Sequence, residues 1–380
     1  MRVLENNGKP LRIAMLGHKW MPSREGGVEV VVEELSTRMV QRGCQVVCYN
    51  RKGNYKSKKR FHKKGTPEYK GVRLKGVMTI NRRGLSAVTS SVVGAVKCAF
   101  GPYDVVHFHS EGTCGMLWLP KLLGKRCVVT VHGLDHRRAK WGWFASAYIM
   151  LGEKIAVKTA DRIIVLSADT QDYFRRVYGR KTHFIPNGVN RPQVVKADRI
   201  QKKLGLKKDG YILFLGRIVP EKGLLYLIRA FQKVKTDKKL VIAGGSSDTN
   251  RFMAKLKSIS QPDPRILFTG FIQGRLLEEL YSNAYLYVLP SDLEGMPLSL
   301  LEAMSYGNCC LVSDIPECAE VVEDHAVLFQ TGNEEDLRAK LQRLCEEEET
   351  VNRYRAGSAD FICQKYNWDV TVDKTLELYR

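Results

Sequence analysis

The chain has 380 residues, which is too long for one ordinary hydrophobic core and favours two domains of roughly 190 residues each. Hydrophobic residues make up 44% of the sequence and charged residues 27%, as is typical of a soluble globular protein. The longest weakly polar stretch, residues 86–100, is too short to span a bilayer, and the N-terminus lacks the pattern of a signal peptide. These features predict a cytoplasmic protein.

The excess positive charge is confined to the N-terminal half. Residues 1–190 hold 34 Lys and Arg against 13 Asp and Glu, whereas residues 191–380 hold 27 of each. The densest part, residues 51–83, has 13 basic residues and one acid. Such a field favours a polyanionic partner, namely nucleic acid, an anionic membrane leaflet or an acidic substrate; the alternative is a solvated basic loop.

Short apolar runs alternate with segments of helical spacing in the first half. Residues 11–17 predict a buried strand, residues 28–42 an amphipathic helix and residues 45–49 the next strand. Further strands are predicted at residues 104–108, 127–131, 162–166 and 183–185. This alternation predicts a doubly wound α/β domain.

The same pattern restarts after the polar segment 190–208. The predicted elements are a strand at residues 211–216, a helix at 223–233, strands at 240–243, 266–269, 286–289 and 308–313, and a last helix after residue 366. We therefore expect two Rossmann-like domains, residues 1–190 and 191–365, with residues 366–380 packing back on the first. Their ligand site is expected in the cleft where the carboxyl ends of both sheets face each other.

The first cluster of candidate site residues is the sequence GRIVPEKG at residues 216–223, which follows a predicted strand. Arg217 and Lys222 lie five residues apart on a loop that opens a helix, so one cation can address each phosphate of a diphosphate. Without other signals, two surface cations beside a turn would be the simpler interpretation.

The second cluster is SDLEGMPLSLLEAM at residues 291–304. Pro297 fits the first turn of a helix, whose N-terminal backbone N–H groups point towards an anion. Glu294 lies on the loop before this helix and Glu302 more than a turn inside it, so their carboxylates can accept hydrogen bonds from sugar hydroxyls at two depths. Burying Glu302 on an apolar face is costly unless it is paired, which favours a polar ligand.

In this order the clusters resemble a known family. Together with Gly26-Gly27, His132-Gly-Leu and the sequence PNGV at 186–189, the chain resembles the retaining nucleotide-sugar glycosyltransferases of family 4, which have the GT-B fold. Glu294 and Glu302 match the E-x7-E element of that family. Arg217 and Lys222 match its donor-diphosphate pair. The resemblance is collinear over almost the whole chain.

The resemblance implies a role for each matched residue. Glu294 would bond sugar hydroxyls and support positive charge near the anomeric carbon, Glu302 would hold the ribose, and His132 would bond a sugar hydroxyl. In the implied donor site, Gly26 and Gly27 allow close approach of the phosphate and the acceptor. Gly295 and the backbone amides of Met296, Pro297 and Leu298 would contact the sugar and the phosphates. Ile272 belongs to the segment 270–273, which is expected beside the nucleobase.

No cofactor is expected beyond the donor substrate, a UDP-, dTDP- or GDP-linked sugar. No D-x-D sequence occurs, so Arg217, Lys222 and the helix amides are expected to neutralise the leaving group without a metal. Ten cysteines without a C-x-x-C pair favour buried, reduced thiols over a metal site. The resemblance implies retention of configuration, by same-face attack on an oxocarbenium-like ion.

The acceptor is expected to bind the basic N-terminal half. Within the family, the chain resembles bacterial rhamnosyl- and glucosyltransferases of capsule and exopolysaccharide assembly, whose acceptors are lipid-linked sugars. This implies that the protein binds an anionic membrane surface and is attached peripherally to the inner face of the cell membrane. The candidate contacts are Lys56, Lys58, Lys59, Arg60, Lys63, Lys64, Arg137, Arg138 and Trp141.

Other functions stay open with less support. A sugar-nucleotide epimerase or a phosphorylase on the same fold would share the donor site, and an inactive protein would share the fold. Nucleic acid is not expected as a partner, because no zinc-finger, homeodomain or RNP signature occurs and the basic segment lacks regularly interleaved aromatic residues.

Overall fold

The structure, a computed structural model, describes residues 5–6, 9–52, 67–80, 85–137, 142–246 and 250–380, and of residues 5, 6 and 137 only the backbone. The chain forms two compact units, each with its own hydrophobic core. The N-terminal unit consists of Met1–Asn187 together with Trp368–Arg380, and the C-terminal unit of Gly188–Asn367.

The N-terminal unit contains a two-stranded ribbon and an eight-stranded sheet with helices between the strands. The strands are β1 (Glu5–Asn6), β2 (Lys9–Pro10), β3 (Arg12–Leu16), β4 (Gln45–Lys52), β5 (Glu68–Tyr69), β6 (Val72–Met78), β7 (Val105–His109), β8 (Arg126–Val131), β9 (Arg162–Val165) and β10 (His183–Phe184). The helices are α1 (Gly27–Gln41), α2 (Leu85–Ala99), α3 (Trp118–Leu122), α4 (Trp143–Thr159) and α5 (Ala168–Tyr178). Two 3-10 turns, Glu111–Met116 and Asp135–Arg137, follow β7 and β8.

The eight-stranded sheet has a topological switch point. Its strand order is β10-β9-β8-β7-β3-β4-β6-β5, and all neighbours are parallel except β5 and β6. The chain moves outward from β3 to β4 and β6, and then returns to β7 on the other side of β3. The connections after β3 and β7 therefore leave in opposite directions, which opens a crevice at their carboxyl ends.

The C-terminal unit repeats this plan with a six-stranded parallel sheet. Its strands are β11 (Tyr211–Leu215), β12 (Lys239–Ala243), β13 (Ile266–Gly270), β14 (Leu286–Leu289), β15 (Cys310–Ser313) and β16 (Val327–Phe329). Its helices are α6 (Arg199–Leu204), α7 (Leu224–Gln232), α8 (Asn250–Ser260), α9 (Arg275–Ser282), α10 (Leu298–Ser305), α11 (Pro316–Val322), α12 (Glu334–Glu346), α13 (Glu348–Arg355) and α14 (Ser358–Lys365). The strand order β13-β12-β11-β14-β15-β16 puts the switch point between β11 and β14.

The last helix, α15 (Trp368–Glu377), belongs to the N-terminal unit. It packs against α1, where Arg42 Nε donates to Asp373 Oδ1 at 2.6 Å. Farther along, the buried hydroxyl of Tyr379 lies 2.6 Å from His107 Nδ1. The C-terminal segment therefore contributes side chains to the core beside β7.

The prediction of two doubly wound α/β domains is confirmed. The central strands of both sheets are buried on both faces, which explains their continuous apolar runs. Strand β6 was absent from the sequence-based prediction, because its buried and exposed residues alternate instead of forming such a run. None of the helices in the described ranges has the length and apolar character needed to cross a membrane.

Candidate active site

The two clusters of the C-terminal unit lie at its switch point. Arg217 and Lys222 follow β11, and Glu294 follows β14, the neighbour of β11 in the sheet. Ligands of open α/β sheets bind in the crevice at this position, because the loops after the two strands diverge there. The sheet order therefore brings the candidate diphosphate loop and the candidate sugar carboxylate to the same edge.

Gly223 allows the two loops to approach closely. It ends the 3-10 turn Pro220–Lys222 with a φ of 64°, and a Cβ at this position would lie 1.8 Å from the carbonyl oxygen of Pro290. The backbone N–H of Asp292 donates to the carbonyl oxygen of Glu221 at 2.9 Å and holds the loops together. A side chain at position 223 would thus separate the loops or distort the turn.

Lys222 and Glu294 form an ion pair across the two loops. The Nζ atom donates to Oε1 of Glu294, and the side chains are only 12% and 9% exposed. Ser291 Oγ donates to the same carboxylate oxygen at 2.7 Å. Because the pair is shielded from water, each charge depends on the other, and removing one would leave the other buried and uncompensated.

The carboxylate of Glu302 is oriented by a tyrosine. Tyr281 on α9 donates its hydroxyl to Oε2 of Glu302 at 3.1 Å, and its ring stacks on Tyr306 with centroids 5.2 Å apart. Burial raises the pKa of Tyr281 well above its usual value, so the hydroxyl stays protonated and able to donate. Tyr281 was not among the residues predicted from the sequence, because nothing in a single sequence links it to a carboxylate 21 residues away.

The N-terminus of α10 corrects one expectation. Pro297 is the N-cap residue and does not lie in the first turn, and its carbonyl accepts from the N–H groups of Leu300 and Leu301. A proline has no backbone N–H, so Pro297 cannot provide the amide that was expected from it. Within the helix, the first N–H groups without an intrahelical partner are those of Leu298 and Ser299. Gly295 is buried and Met296 half-buried on the loop before them.

Ile272 lies at the same edge of the sheet, but farther from the switch point. It follows β13, which is separated from β11 by β12, and its half-buried side chain packs against the core of the unit. Gly270 and Gly274 have φ values of 69° and 60° and turn the chain on either side of it. The N–H of Gly244 donates to the carbonyl oxygen of Gly270 at 2.9 Å, which attaches this segment to the loop after β12.

Gly26 and Gly27 begin α1 in the N-terminal unit, as N-cap and first helical residue. A Cβ on Gly26 would lie 2.4 Å from Oε2 of Glu29, whose other oxygen accepts from the N–H of Lys19 at 2.9 Å. The absence of a side chain at Gly26 thus leaves space for this carboxylate to bond the loop after β3.

His132 belongs to a cluster of imidazoles at the carboxyl ends of β7 and β8. Its Nε2 lies 3.0 Å from Nδ1 of His109, and His109 stacks on His107 with ring centroids 4.3 Å apart. Burial lowers the pKa of His107 to about 3 and holds the pKa of His109 well below its usual value, with further lowering by neighbouring imidazoles. The His107 and His109 rings are therefore neutral near pH 7, and within the His109–His132 pair one ring nitrogen donates and the other accepts.

His132 was predicted as a site residue from the sequence, whereas His107 and His109 were not. The sequence HFH at the end of a predicted strand was the available signal. Most predicted membrane contacts lie outside the described residues, and of Arg137 only the backbone, at the end of a 3-10 turn, is described. The contacts outside the described residues are Lys56, Lys58, Lys59, Arg60, Lys63, Lys64, Arg138 and Trp141.

Two solved structures resemble this chain over nearly its full length. Sucrose-phosphate synthase from Thermosynechococcus elongatus has a TM-score of 0.83 at 21% identity, covering 97% of this chain and 98% of that one. Anabaena Alr3699/HepE in complex with UDP and glucose has a TM-score of 0.78 at 15% identity, with the same coverage. These similarities assign the GT-B fold, with two Rossmann-like domains.

Sequence comparisons identify the family. The sequence model described as "Glycosyltransferase Family 4" matches residues 25–192, and "Glycosyl transferases group 1" matches residues 196–360. The UDP-Gal:alpha-D-GlcNAc-diphosphoundecaprenol alpha-1,3-galactosyltransferase of Escherichia coli is 30% identical over 295 residues, 73% of this chain and 75% of that protein. The alpha-maltose-1-phosphate synthase of Mycobacterium tuberculosis (strain CDC 1551 / Oshkosh) is 24% identical over 97% of this chain and 99% of that protein. The chain therefore belongs to the glycosyltransferases, with a Family 4 region followed by a group 1 region.

Proposed function

We propose that this glycosyltransferase moves a hexose-type sugar from a nucleoside-diphosphate donor to a lipid-linked sugar acceptor, with retention of configuration, in cell-surface polysaccharide assembly. The observation that carries the proposal is the shielded ion pair between Lys222 and Glu294 at the switch point of the C-terminal sheet. It joins a cation suited to phosphate with a carboxylate suited to sugar hydroxyls.

The donor diphosphate is held by positive charge and backbone dipoles. Arg217 and Lys222 supply the charge, and the N–H groups of Leu298 and Ser299 at the start of α10 supply aligned donors. These groups neutralise the leaving diphosphate as the glycosidic bond breaks, so its departure needs no metal ion. Glu302, oriented by Tyr281, bonds the ribose hydroxyls, and Ile272 lies beside the nucleobase.

Retention follows from attack on the face that the diphosphate leaves. The bond from the anomeric carbon to the diphosphate oxygen breaks, the acceptor oxygen bonds to that carbon, and the acceptor proton passes to the departing phosphate oxygen. We assign Glu294 to supporting the positive charge of the sugar and not to nucleophilic attack, because its ion pair with Lys222 lowers the nucleophilicity of the carboxylate. Glu294 therefore acts by electrostatics and His132 by bonding a sugar hydroxyl.

The acceptor is assigned to the N-terminal unit. The name of the Escherichia coli relative specifies a sugar on diphosphoundecaprenol as its acceptor, and the N-terminal half of this chain carries the whole excess of positive charge. A diphosphate-linked lipid offers both negative charge and an apolar chain. We therefore assign this protein to the inner face of the cell membrane, attached from the cytoplasm.

Exposed apolar side chains of the N-terminal unit support this assignment. Helix α2 packs against α3, and α3 against α4, and these helices expose large apolar side chains. Trp143 and Phe144 at the start of α4 are 73% and 72% exposed and stack on each other. The other exposed large apolar side chains on or next to these helices are Leu85, Val96, Phe100, Trp118, Leu122, Leu123, Met150 and Leu151. Aromatic and aliphatic side chains in this setting suit a lipid headgroup boundary.

The donor assignment is tested by measuring the midpoint of thermal unfolding of the protein in the presence of UDP, dTDP, GDP and ADP, each alone and as its sugar conjugate. One nucleotide at saturation is expected to raise the midpoint by about 5 °C or more. Lys222→Ala should weaken the binding of that nucleotide at least about tenfold, since a charge-assisted hydrogen bond contributes about 1.5–3 kcal/mol. Lys233→Ala removes an exposed lysine that pairs with Glu334 and serves as the matched control.

Product analysis separates transfer from the alternatives. The anomeric configuration of the product, determined by NMR, should equal that of the donor, and added Mg²⁺ should not raise the rate. An epimerase would convert the donor to an isomer without acceptor, and a phosphorylase would require inorganic phosphate. Absence of a midpoint shift with all four nucleotides, or an equal shift in Lys222→Ala, would refute the donor assignment.

A further inference from the structure

Three histidines stand at the carboxyl ends of three neighbouring strands of the N-terminal sheet. His18 follows β3, His109 ends β7 and His132 follows β8, and these strands are adjacent in the order β8-β7-β3. The loop after β3 also passes close to β7, since a Cβ on Gly17 would lie 2.1 Å from the carbonyl oxygen of His109. The three histidines therefore lie at the switch point of this sheet.

The hydrogen bonds of Asn50 determine which nitrogen of His18 carries a hydrogen. Nδ2 of Asn50 donates to the carbonyl oxygen of Met21 at 3.0 Å, and its Oδ1 accepts from the Met21 N–H at 3.0 Å. Because the amide orientation is thereby fixed, the contact of 2.9 Å between Oδ1 and His18 Nε2 requires that Nε2 donates. Burial lowers the pKa of His18 to about 4, so the neutral ring has its lone pair on Nδ1.

The ring of His109 is held in one orientation. It is fully buried and stacks on His107 with ring centroids 4.3 Å apart and on His132 with centroids 5.2 Å apart. Its Nδ1 lies 3.0 Å from Nε2 of His132. A rotated ring would lose this contact or the stacking. His132 is only half-buried, so it is the member of the pair that a ligand can reach, and His109 can act only through it.

The other nitrogen of His109 indicates which ring donates. Nε2 is buried, and none of the described residues offers it a hydrogen-bond partner. A hydrogen on Nε2 would be a buried donor without an acceptor, and in protein backbones such donors are rarer than acceptors without a donor. A hydrogen on Nδ1 is instead bonded to His132 Nε2 and leaves only a lone pair on Nε2. The second arrangement is therefore favoured.

We propose that His109 is a positioning residue, which donates from Nδ1 to Nε2 of His132 and leaves His132 with its hydrogen on Nδ1. The hydrogen bond made by one imidazole nitrogen determines which form the other presents. His132 then offers an N–H group in a fixed direction to an oxygen of the sugar. The catalytic value of this bond rests on the proposed function, in which His132 bonds a sugar hydroxyl, but the bond itself does not.

NMR of the full-length protein with ¹⁵N-labelled histidine measures the hydrogen positions directly. Ring nitrogens with and without hydrogen differ widely in ¹⁵N shift, and the signals of the eight histidines are assigned by their loss in single variants. We expect hydrogen on Nδ1 of both His109 and His132. His18, with hydrogen on Nε2, serves as the internal reference for the opposite form. Hydrogen on Nε2 of His132 in the wild type would overturn the proposal.

Two substitutions of His109 separate positioning from packing. His109→Leu removes the donor, so His132 should become a mixture of both forms. Turnover of the sugar nucleotide identified by the midpoint shifts should then fall at least about tenfold with little change in KM, because the sugar contact loses its alignment. His109→Asn keeps an N–H group near the position of Nδ1. It should restore the Nδ1 form of His132 and most of the turnover.

His107→Gln is the matched control, because His107 is equally buried but bonds Tyr379 and Thr130 instead of His132. It should leave the hydrogen of His132 on Nδ1. Wild-type turnover in His109→Leu, or no recovery in His109→Asn, would refute the positioning role. If His109→Leu does not fold, the wild-type spectrum and His109→Asn decide. If no sugar nucleotide binds, the proposed function fails, whereas the wild-type spectrum still decides the hydrogen bond.

Discussion

Buried imidazoles of the N-terminal unit are kept in their neutral form. His107 illustrates the cause: its Nδ1 lies 2.6 Å from the Tyr379 hydroxyl and its Nε2 2.7 Å from the Thr130 hydroxyl, in a site closed to water. Burial lowers its pKa to about 3, and burial also lowers the pKa of His18 to about 4. The neutral ring is satisfied by its two neighbours, whereas the protonated ring would lose its hydration.

These histidines should make stability fall in acid. Their folded pKa values lie below the value of about 6.5 for an unfolded histidine, so unfolding takes up protons below that pH. Each such group costs about 1 kcal/mol of unfolding free energy per pH unit as the pH decreases from about 6.5 towards the folded pKa. We expect His107→Gln to reduce this slope by about that amount between pH 6 and pH 4.

Urea unfolding at a series of pH values checks this expectation. Tyr379→Phe is the matched control, because it removes the hydrogen bond to Nδ1 but leaves the titrating ring in place. That variant should be less stable than the wild type at all pH values, with the wild-type slope. An unchanged slope in His107→Gln would show that the pKa of this imidazole is the same in the folded and the unfolded protein, and would contradict the lowering of that pKa by burial.

The boundary between a turn and a helix determines the geometry of the candidate diphosphate loop. Gly223 ends the 3-10 turn that carries Lys222 and is the N-cap of α7. Its left-handed backbone and its approach to Pro290 both exclude a side chain. The tyrosine on α7, Tyr226, donates its hydroxyl to the same Pro290 carbonyl, so the helix is attached to the loop after β14 at this point.

Comparing Gly223→Ala with Gly307→Ala separates the strain of a left-handed backbone from the steric collision with Pro290. Gly307 follows α10 with a φ of 80° and has nothing within 4 Å of the Cβ position, so its substitution should cost only the backbone strain of about 1–2 kcal/mol. Gly223→Ala adds the collision with Pro290 and should cost at least about 1 kcal/mol more. The free energy of unfolding in urea measures both costs. Equal losses in the two variants would contradict the close approach seen here.

Charge and exposed apolar surface are distributed unevenly over the whole molecule. The excess positive charge lies in residues 1–190, and among the described residues the C-terminal unit exposes few large apolar side chains, namely Val194 and Phe271. The N-terminal unit exposes many more, including those on or next to α2, α3 and α4. The two properties together favour attachment of the N-terminal unit to an anionic bilayer.

Membrane attachment predicts a salt-sensitive affinity for anionic vesicles. Binding to vesicles with phosphatidylglycerol should exceed binding to phosphatidylcholine alone and should weaken as NaCl increases. Reversing the charges of Lys56, Lys59 and Lys63 should weaken vesicle binding at least about a hundredfold, since each removed charge costs about 1 kcal/mol. Trp143→Ser with Phe144→Ser should also weaken it, with Phe271→Ser as control. Unchanged binding after charge reversal would refute attachment by charge.

Local sequence was enough to predict the central strands of both sheets and their alternation with helices, but not the strands β5, β6 and β16. Buried parallel strands require continuous apolar runs, and helices require a period near 3.6 residues, so both leave signals within a few neighbouring residues. The placement of the second cluster on a loop and a short helix was predictable in the same way, since Glu294, Pro297 and Glu302 are close together in the sequence. The position of Pro297 was wrong by one residue, because helix ends depend on hydrogen bonds that residue type alone does not specify.

The partners of these residues were decided only by the tertiary structure. The ion pair of Lys222 with Glu294, the bond from Tyr281 to Glu302 and the meeting of His109 with His132 join segments that are distant in the sequence. Their contacts depend on which strands are neighbours, and in a parallel sheet neighbouring strands are connected by long crossovers. The sequence therefore determined which groups are available for chemistry. The order of the strands decided which of them meet, because it places the carboxyl ends of β11 and β14, and of β7 and β8, side by side.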